Sequence, residues 1–214
     1  MARAGKSISR ELKRLGLRGM KVALPFPFRA NSRLWLILAV LLASSGIAHG
    51  QHSFDLDGHA LNPFQDDHAK VVVLLFLRRD CPISSRYAPT IQQISKRYAD
   101  NATFWLVFPD KTESSDTVRK YLRDYRYNLP ALRDPEHELV NLSRVKVTPE
   151  AAVFDRNHRL LYDGRIDDWY GSPGGSRPAP TTHDLDDAIR AAVAGKSVDK
   201  SDVRGVGCYI SDLD

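Results

Sequence analysis

Residues Lys70 to Leu77 read KVVVLLFL, a near-continuous run of β-branched and apolar side chains. A strand that alternates apolar and polar residues covers a core on one face, whereas a strand apolar at every position must be buried on both. This run therefore predicts the central strand of a sheet with a packed layer above and below it. The segments around it supply the other elements. Ser53 to Leu56 reads as a short leading strand ending at the turn Asp57-Gly58, and Ala102 to Phe108 (ATFWLVF) as a second buried strand. Ile83, Tyr87, Ile91, Ile94 and Tyr98 recur at helical spacing and predict a helix over 83–98, kinked by Pro89. Further helices are expected over 115–127 and 136–145. Ala151 to Asp155, the turn Arg156-Asn157-His158 and Leu160 to Ile166 make a β-hairpin. Asp167 to Thr181 is a Gly/Pro-rich surface loop, in which Asp167-Asp168 reads as a solvated turn. A last helix is expected over 183–194, capped by Thr182, with three aspartates in its first turn and Gly195 after its end. The order is that of an α/β fold with a central sheet and helices on its faces.

The charge is divided. The formal net charge of the 214 residues is +5, which by itself would suggest an anionic partner. Residues 1–50 hold nine basic side chains against one acid, Glu11, leaving 22 basic and 25 acidic residues for the rest. The body is thus mildly acidic and carries no footprint of nucleic-acid binding. Gly174-Gly175 lies in a Pro/Ser loop with no Lys-Ser/Thr after it, so no phosphate-binding glycine loop is present.

The basic segment leads into Leu34 to Ala43 (LWLILAVLLA), ten apolar positions followed by small residues up to Gly50. That is the layout of a secretory signal peptide, with cleavage after Ala48 or after Gly50. Extended through Ala48 the apolar stretch reaches 15 residues, against the ~18 to 20 of a membrane span, so retention as an N-terminal anchor is the alternative. Met20 opens a more compact version of the same signal. The expected organisation is a signal peptide or anchor over 1–50, a folded domain over 51–196 and a tail over 197–214. The expected location is extracytoplasmic, such as a bacterial periplasm, with membrane contact only through the N-terminal segment.

Export puts the two cysteines, Cys81 and Cys208, in an oxidising compartment. A structural disulfide between them would close a loop of more than a hundred residues, worth roughly 4 to 5 kcal/mol by loop entropy. The other reading is a reactive thiol. Cys81 follows the buried strand and opens a helix, where unpaired N–H groups stabilise a thiolate. Arg78, Arg79 and Arg86 add positive potential, and Asp80 opposes it.

The segment Phe76 to Pro89 (FLRRDCPISSRYAP) resembles the active-site region of thioredoxin-fold proteins, where an Ala-Pro pair follows the Cys-x-x-Cys motif at the same offset. Val147-Thr148-Pro149 before the strand AAVFD resembles their cis-proline segment. Asp-Cys-Pro-Ile-Ser, Gly164 to Asp168 and Gly207-Cys208 are similar to the extracytoplasmic branch of the redoxin type. The resemblance implies a thioredoxin-like fold and a thiol oxidoreductase with Cys81 as nucleophile. Thr148, Pro149, Ser84 and Arg86 would contact the substrate, a protein disulfide or, as the lesser route, a peroxide. Ser84 replaces the second cysteine of a dithiol thioredoxin, so the resolving thiol would be Cys208, a glutathione-like thiol or another protein. Arg78 stands where peroxiredoxins carry Thr or Ser, which weighs against peroxide reduction. Copper-carrying relatives use Cys-x-x-x-Cys and a distant His; Ser85 fills the second cysteine's place, leaving Cys81 with a residue such as His183. No cofactor or metal is expected, since the six histidines after His49 show no HxxH or HExxH spacing. The alternative function is a non-catalytic binding or scaffold domain stabilised by a Cys81–Cys208 disulfide.

Overall fold

A computed structural model describes residues 53–65, 69–172, 175–199 and 203–211. The proposed signal segment, residues 1–50, lies outside the described residues. Strands β1 (Val71–Phe76), β2 (Ala102–Phe108), β3 (Ala131–Arg133), β5 (Glu150–Asp155) and β6 (Leu160–Gly164) form one sheet in the order β3-β2-β1-β5-β6. β1 runs parallel to β2 and antiparallel to β5, so the sheet is mixed and β1 is central. All six β1 residues are buried. Their alternation sends Val71, Val73 and Leu75 into one core cluster and Val72, Leu74 and Phe76 into the other.

The first cluster is closed by helices α2 (Ala88–Arg97), α3 (Ser115–Asp124) and α5 (Asp184–Val193), through Ile91, Ile94, Val118, Tyr121, Leu185 and Ile189. The second is closed by α4 (Glu138–Ser143), through Leu139 and Val140, together with Phe64 and Ile210. Helices do cover both faces, but unequally. Among the described residues no helix is long and apolar enough to cross a membrane.

Several boundaries differ from those read in the sequence, each for a local reason. The leading strand is reduced to single bridges from Phe54 to Ala60 and Arg133, because the Asp55 carboxylate accepts the N–H groups of Asp57 and His59 and turns the chain back. The helix expected over 83–98 is two helices, α1 (Pro82–Arg86) and α2, parted at Tyr87. Pro89 has no N–H to give the Ser85 carbonyl, and the break falls two residues before it. The helix expected over 136–145 is trimmed by left-handed residues at both ends, His137 and Arg144. Thr182 does not cap α5: its hydroxyl donates to the Asp184 carboxylate at 2.7 Å, and His183 holds the cap position. The 167–181 loop contains a small ladder, β7 (Tyr170–Ser172) with β8 (Gly175–Ser176). Asp167 and Asp168 are buried at its base and not solvated.

The C-terminal segment is not a loose tail. Its described part, residues 203–211, forms a strap along one end of the sheet. Arg165 N–H donates to the Val203 carbonyl at 2.7 Å, a close approach that a side chain at Gly164 would block. Two short strands then pair antiparallel, β4 (Val147–Thr148) with β9 (Cys208–Tyr209).

Candidate active site

The antiparallel register of β1 and β5 sets Phe76 beside Glu150. The residues that follow Phe76 and those that precede Glu150 therefore emerge at the same end of the sheet. From the first side comes the turn Arg78–Cys81, closed by the Cys81 N–H donating to the Arg78 carbonyl at 3.2 Å. Cys81 occupies the N-cap position of α1, with Pro82 in the first helical position, where a missing N–H costs nothing. From the second side comes the Thr148–Pro149 peptide, which is cis. Cys81 Sγ meets it at 3.2 Å from the Thr148 carbonyl oxygen.

The strap brings the second cysteine to the same point. Cys208 pairs with Thr148 across β4 and β9, and its Sγ lies 2.8 Å from Cys81 Sγ. Both cysteines are free. Cys81 is fully buried, and Cys208 is half-buried above it.

The two thiols are unequal. Burial pushes the Cys81 thiol up, but hydrogen bonds outweigh it and hold its pKa below the ordinary value. They come from the Cys208 thiol and from the backbone N–H and hydroxyl of Ser84. Ser84 is the third residue of α1, so its N–H is one of those a helix start leaves unpaired, and the sulfur takes the place of a capping oxygen. Cys208 is pushed up to about 12 by burial and by the hydrogen bond and charge of Cys81, with Arg78 pulling the other way. Cys81 is thus the more acidic thiol of the pair and Cys208 the donor to its sulfur.

The other sequence-predicted residues lie around this pair in different roles. Ser84 is fully buried and faces the sulfur from the protein side; its hydroxyl also accepts from Arg78 N–H at 3.3 Å. The Arg78 guanidinium is paired with Asp80 at 2.9 Å and Asp110 at 3.1 Å, so the expected basic cluster is partly neutralised. Arg86 is exposed, donates to the Tyr170 hydroxyl at 3.3 Å and lines a groove of about 370 Å³ with Pro82, Ile83, Val206 and Cys208. His183 lines a different cavity, beside Thr90 and Asp186. Among the described residues the metal-competent cluster is Asp55, Asp57 and His59, whose ring and carboxylates satisfy one another at the surface.

Three residues position the site: Glu150, which has no individual signal in the sequence, and Asp167 and Asp168, which read there as a solvated turn. Glu150 is buried; one carboxylate oxygen accepts from Lys146 N–H at 2.8 Å and Val147 N–H at 3.3 Å, the other from Gly205 N–H at 2.8 Å. It joins the cis-proline segment to the strap. Asp167 accepts from the Tyr87 hydroxyl at 2.5 Å, fixing the joint between α1 and α2. Asp168 gathers Thr181 and Thr182 N–H groups and the Thr181 hydroxyl, which together hold its carboxyl far below the usual range against the opposing effect of burial.

A cysteine capping a helix after the central strand, facing a cis-proline at the head of an antiparallel strand, defines a thioredoxin-fold thiol protein. Residues 68–160 match the protein-family model described as thioredoxin-like. No curated protein matches the chain in sequence. Among solved structures, an uncharacterised conserved protein of Geobacillus kaustophilus overlays with a TM-score of 0.62 at 20% identity, covering 75% of this chain and 89% of its own. A hypothetical protein of Sinorhizobium meliloti overlays at 0.61 with 22% identity, covering 73% and 87%. A secreted disulfide oxidoreductase of Mycobacterium tuberculosis overlays at 0.45 with 17% identity, covering 68% and 96%.

Proposed function

We propose that the protein is an exported thiol oxidoreductase that exchanges disulfides with protein substrates. The observation that carries this reading is the 2.8 Å approach of two unequal thiols beside the cis-proline segment. The Cys81 thiolate attacks one sulfur of a substrate disulfide; a Cys81–substrate bond forms, the substrate S–S bond breaks, and the other substrate sulfur leaves and takes a proton. Cys208 gives up its proton and attacks Cys81 Sγ, forming the Cys81–Cys208 disulfide and releasing the second substrate thiol. The substrate is reduced by two electrons and the protein dithiol oxidised; an external thiol donor restores it. Thr148 and Pro149 offer the backbone edge beside the sulfur, and Arg86 borders the groove leading to it. Arg78, engaged with Asp80 and Asp110, is not free to orient a peroxide, which favours disulfides over peroxides.

Export rests on the charge and length of the segment before Gln51, and retention of that segment would make the domain membrane-anchored. Reduction of insulin disulfides with dithiothreitol as donor tests the chemistry. Turnover is expected from the wild-type domain and its loss from Cys81→Ser; equal turnover in both overturns the reading.

A further inference from the structure

The strap does more than deliver a thiol. It lies on the cis-proline segment as an extended strand, in the place an extended partner would use. Thr148 pairs with Cys208 and Val147 with Tyr209; Ile210 N–H donates to the Lys146 carbonyl at 3.0 Å, and the Thr148 hydroxyl to the Cys208 carbonyl at 3.4 Å. A ladder of this kind recognises backbone, and sequence preference comes from the side chains between its rungs.

Each strap position meets a different constraint. Before the cysteine, a Cβ on Gly207 would stand 2.0 Å from the Thr148 carbonyl oxygen and 2.6 Å from its carbon, both unyielding backbone atoms. That position admits glycine alone. Tyr209, directly after the cysteine, is 79% exposed and points away, so its side chain is not read. Ile210 is buried and packs into the second core cluster with Val72, Leu139 and Val145, so the second position after the cysteine is read as a large aliphatic.

We propose that Gly207–Ile210 is a built-in copy of the substrate, and that the site takes extended Gly-Cys-x-Ile-like segments. In these the substrate cysteine occupies the position of Cys208. This inference rests on the thiol-exchange reading above and adds its substrate class. One seat then serves two successive occupants. The strap swings out, the substrate segment pairs with Val147–Thr148 and forms the mixed disulfide with Cys81. The tethered strap, present at high effective concentration, retakes the Val147–Thr148 ladder, which turns the substrate sulfur away from the Cys208 position; Cys208 then attacks Cys81 Sγ in line, the Cys81–substrate bond breaks and the substrate sulfur leaves as a thiol. Coverage of Cys81 in the reduced protein follows directly, since the occupant at rest is the chain's own strand.

The test uses the full domain carrying Cys208→Ser, so that the first exchange is the last. Three capped tetrapeptides are supplied as mixed disulfides with thionitrobenzoate: Gly-Cys-Tyr-Ile, Ala-Cys-Tyr-Ile and Gly-Cys-Tyr-Asp. Release of thionitrobenzoate gives each rate. The first peptide is expected to react about tenfold or more faster than either of the others, since a peptide that cannot seat loses the whole advantage of docking. The strap change Ile210→Asp, made in the same background, is expected to speed the first peptide by freeing the seat. Equal rates for the three peptides, with Cys81 still reacting readily with the symmetrical thionitrobenzoate disulfide, overturn the substrate class and leave the exchange chemistry standing. Inertness of Cys81 toward the symmetrical reagent as well overturns both.

Discussion

Removing the sulfur of Cys208 should raise the pKa of Cys81, and the structure sets the size of the effect. The Cys208 thiol is a hydrogen-bond donor to the Cys81 sulfur at 2.8 Å, and it is the strongest of the groups that lower the Cys81 value against burial. A hydrogen bond to a charged group is worth about 1.5 to 3 kcal/mol. At 1.36 kcal/mol per unit, its loss corresponds to an upward shift of about one to two units. Truncation also opens the sulfur to water, which works in the other direction. The comparison that isolates the donor is therefore Cys208→Ala against Cys208→Ser, residues of similar size of which only serine keeps an O–H. The assay is carbamidomethylation of Cys81 across a pH series, quantified by mass spectrometry and read as the midpoint of the rate profile, which is independent of how easily the reagent enters. The alanine variant is expected to titrate about one unit or more above the serine variant. Coincident midpoints would refute the assignment of Cys208 as proton donor to a Cys81 thiolate.

Three further outcomes concern the scaffold. Asp134 is fully buried and its pKa is raised to about 6 by burial, only partly countered by the Val140, Leu139 and Glu138 N–H groups. Its folded value lies above the unfolded one, so its stabilising contribution is complete below about pH 4 and is lost as pH rises through 6, by about 3 kcal/mol. Asp134→Asn keeps an oxygen for Val140 N–H and removes the titration; urea unfolding at several pH values should show a flatter slope than wild type, and an unchanged slope contradicts the assignment. Glu150→Ala leaves the N–H groups of Lys146, Val147 and Gly205 without their acceptor and should cost a few kcal/mol, with faster amide exchange at Gly205; unchanged exchange there would show that Glu150 does not hold the strap. Leu75→Ala, at a fully buried position of the central strand, should lower unfolding free energy by about 2 to 5 kcal/mol, and a loss below 1 kcal/mol would contradict its place in the core.

The central strand, the second strand and the hairpin were legible because each is a long run whose periodicity is decided by burial. β3 was not: three residues, Ala131–Arg133, are too few to show a period, and they become a strand only because β2 offers them an edge. The ends of α4 depended on left-handed residues and on Asp134 reaching the Val140 N–H across six positions, neither of which a helical pattern displays. Cys81 could be singled out by its position between a buried strand and a helix start, and Pro149 by the resemblance of its segment to a cis-proline segment. Glu150 could not, since a glutamate opening a strand looks solvated until the strap folds over it. Gly207 stands out in the sequence only as half of the Gly207-Cys208 pair; the 2.0 Å approach of the Thr148 carbonyl to a Cβ there gives the physical reason for glycine. The order of the tail comes from partners in β4 and β5 and not from a pattern of its own.

The most direct test of the account is a redox titration of the purified domain in glutathione buffers, with peptide mapping to identify each bond. A reactive exchange pair is expected to interconvert reversibly between the dithiol and a single Cys81–Cys208 disulfide, with a midpoint between about −120 and −270 mV, the range of catalytic thioredoxin-fold proteins. A disulfide that stays closed at every poise would make Cys81 and Cys208 a structural clamp. Thiols that only ever take up glutathione separately would mean that Cys208 does not resolve Cys81. Either result contradicts the account.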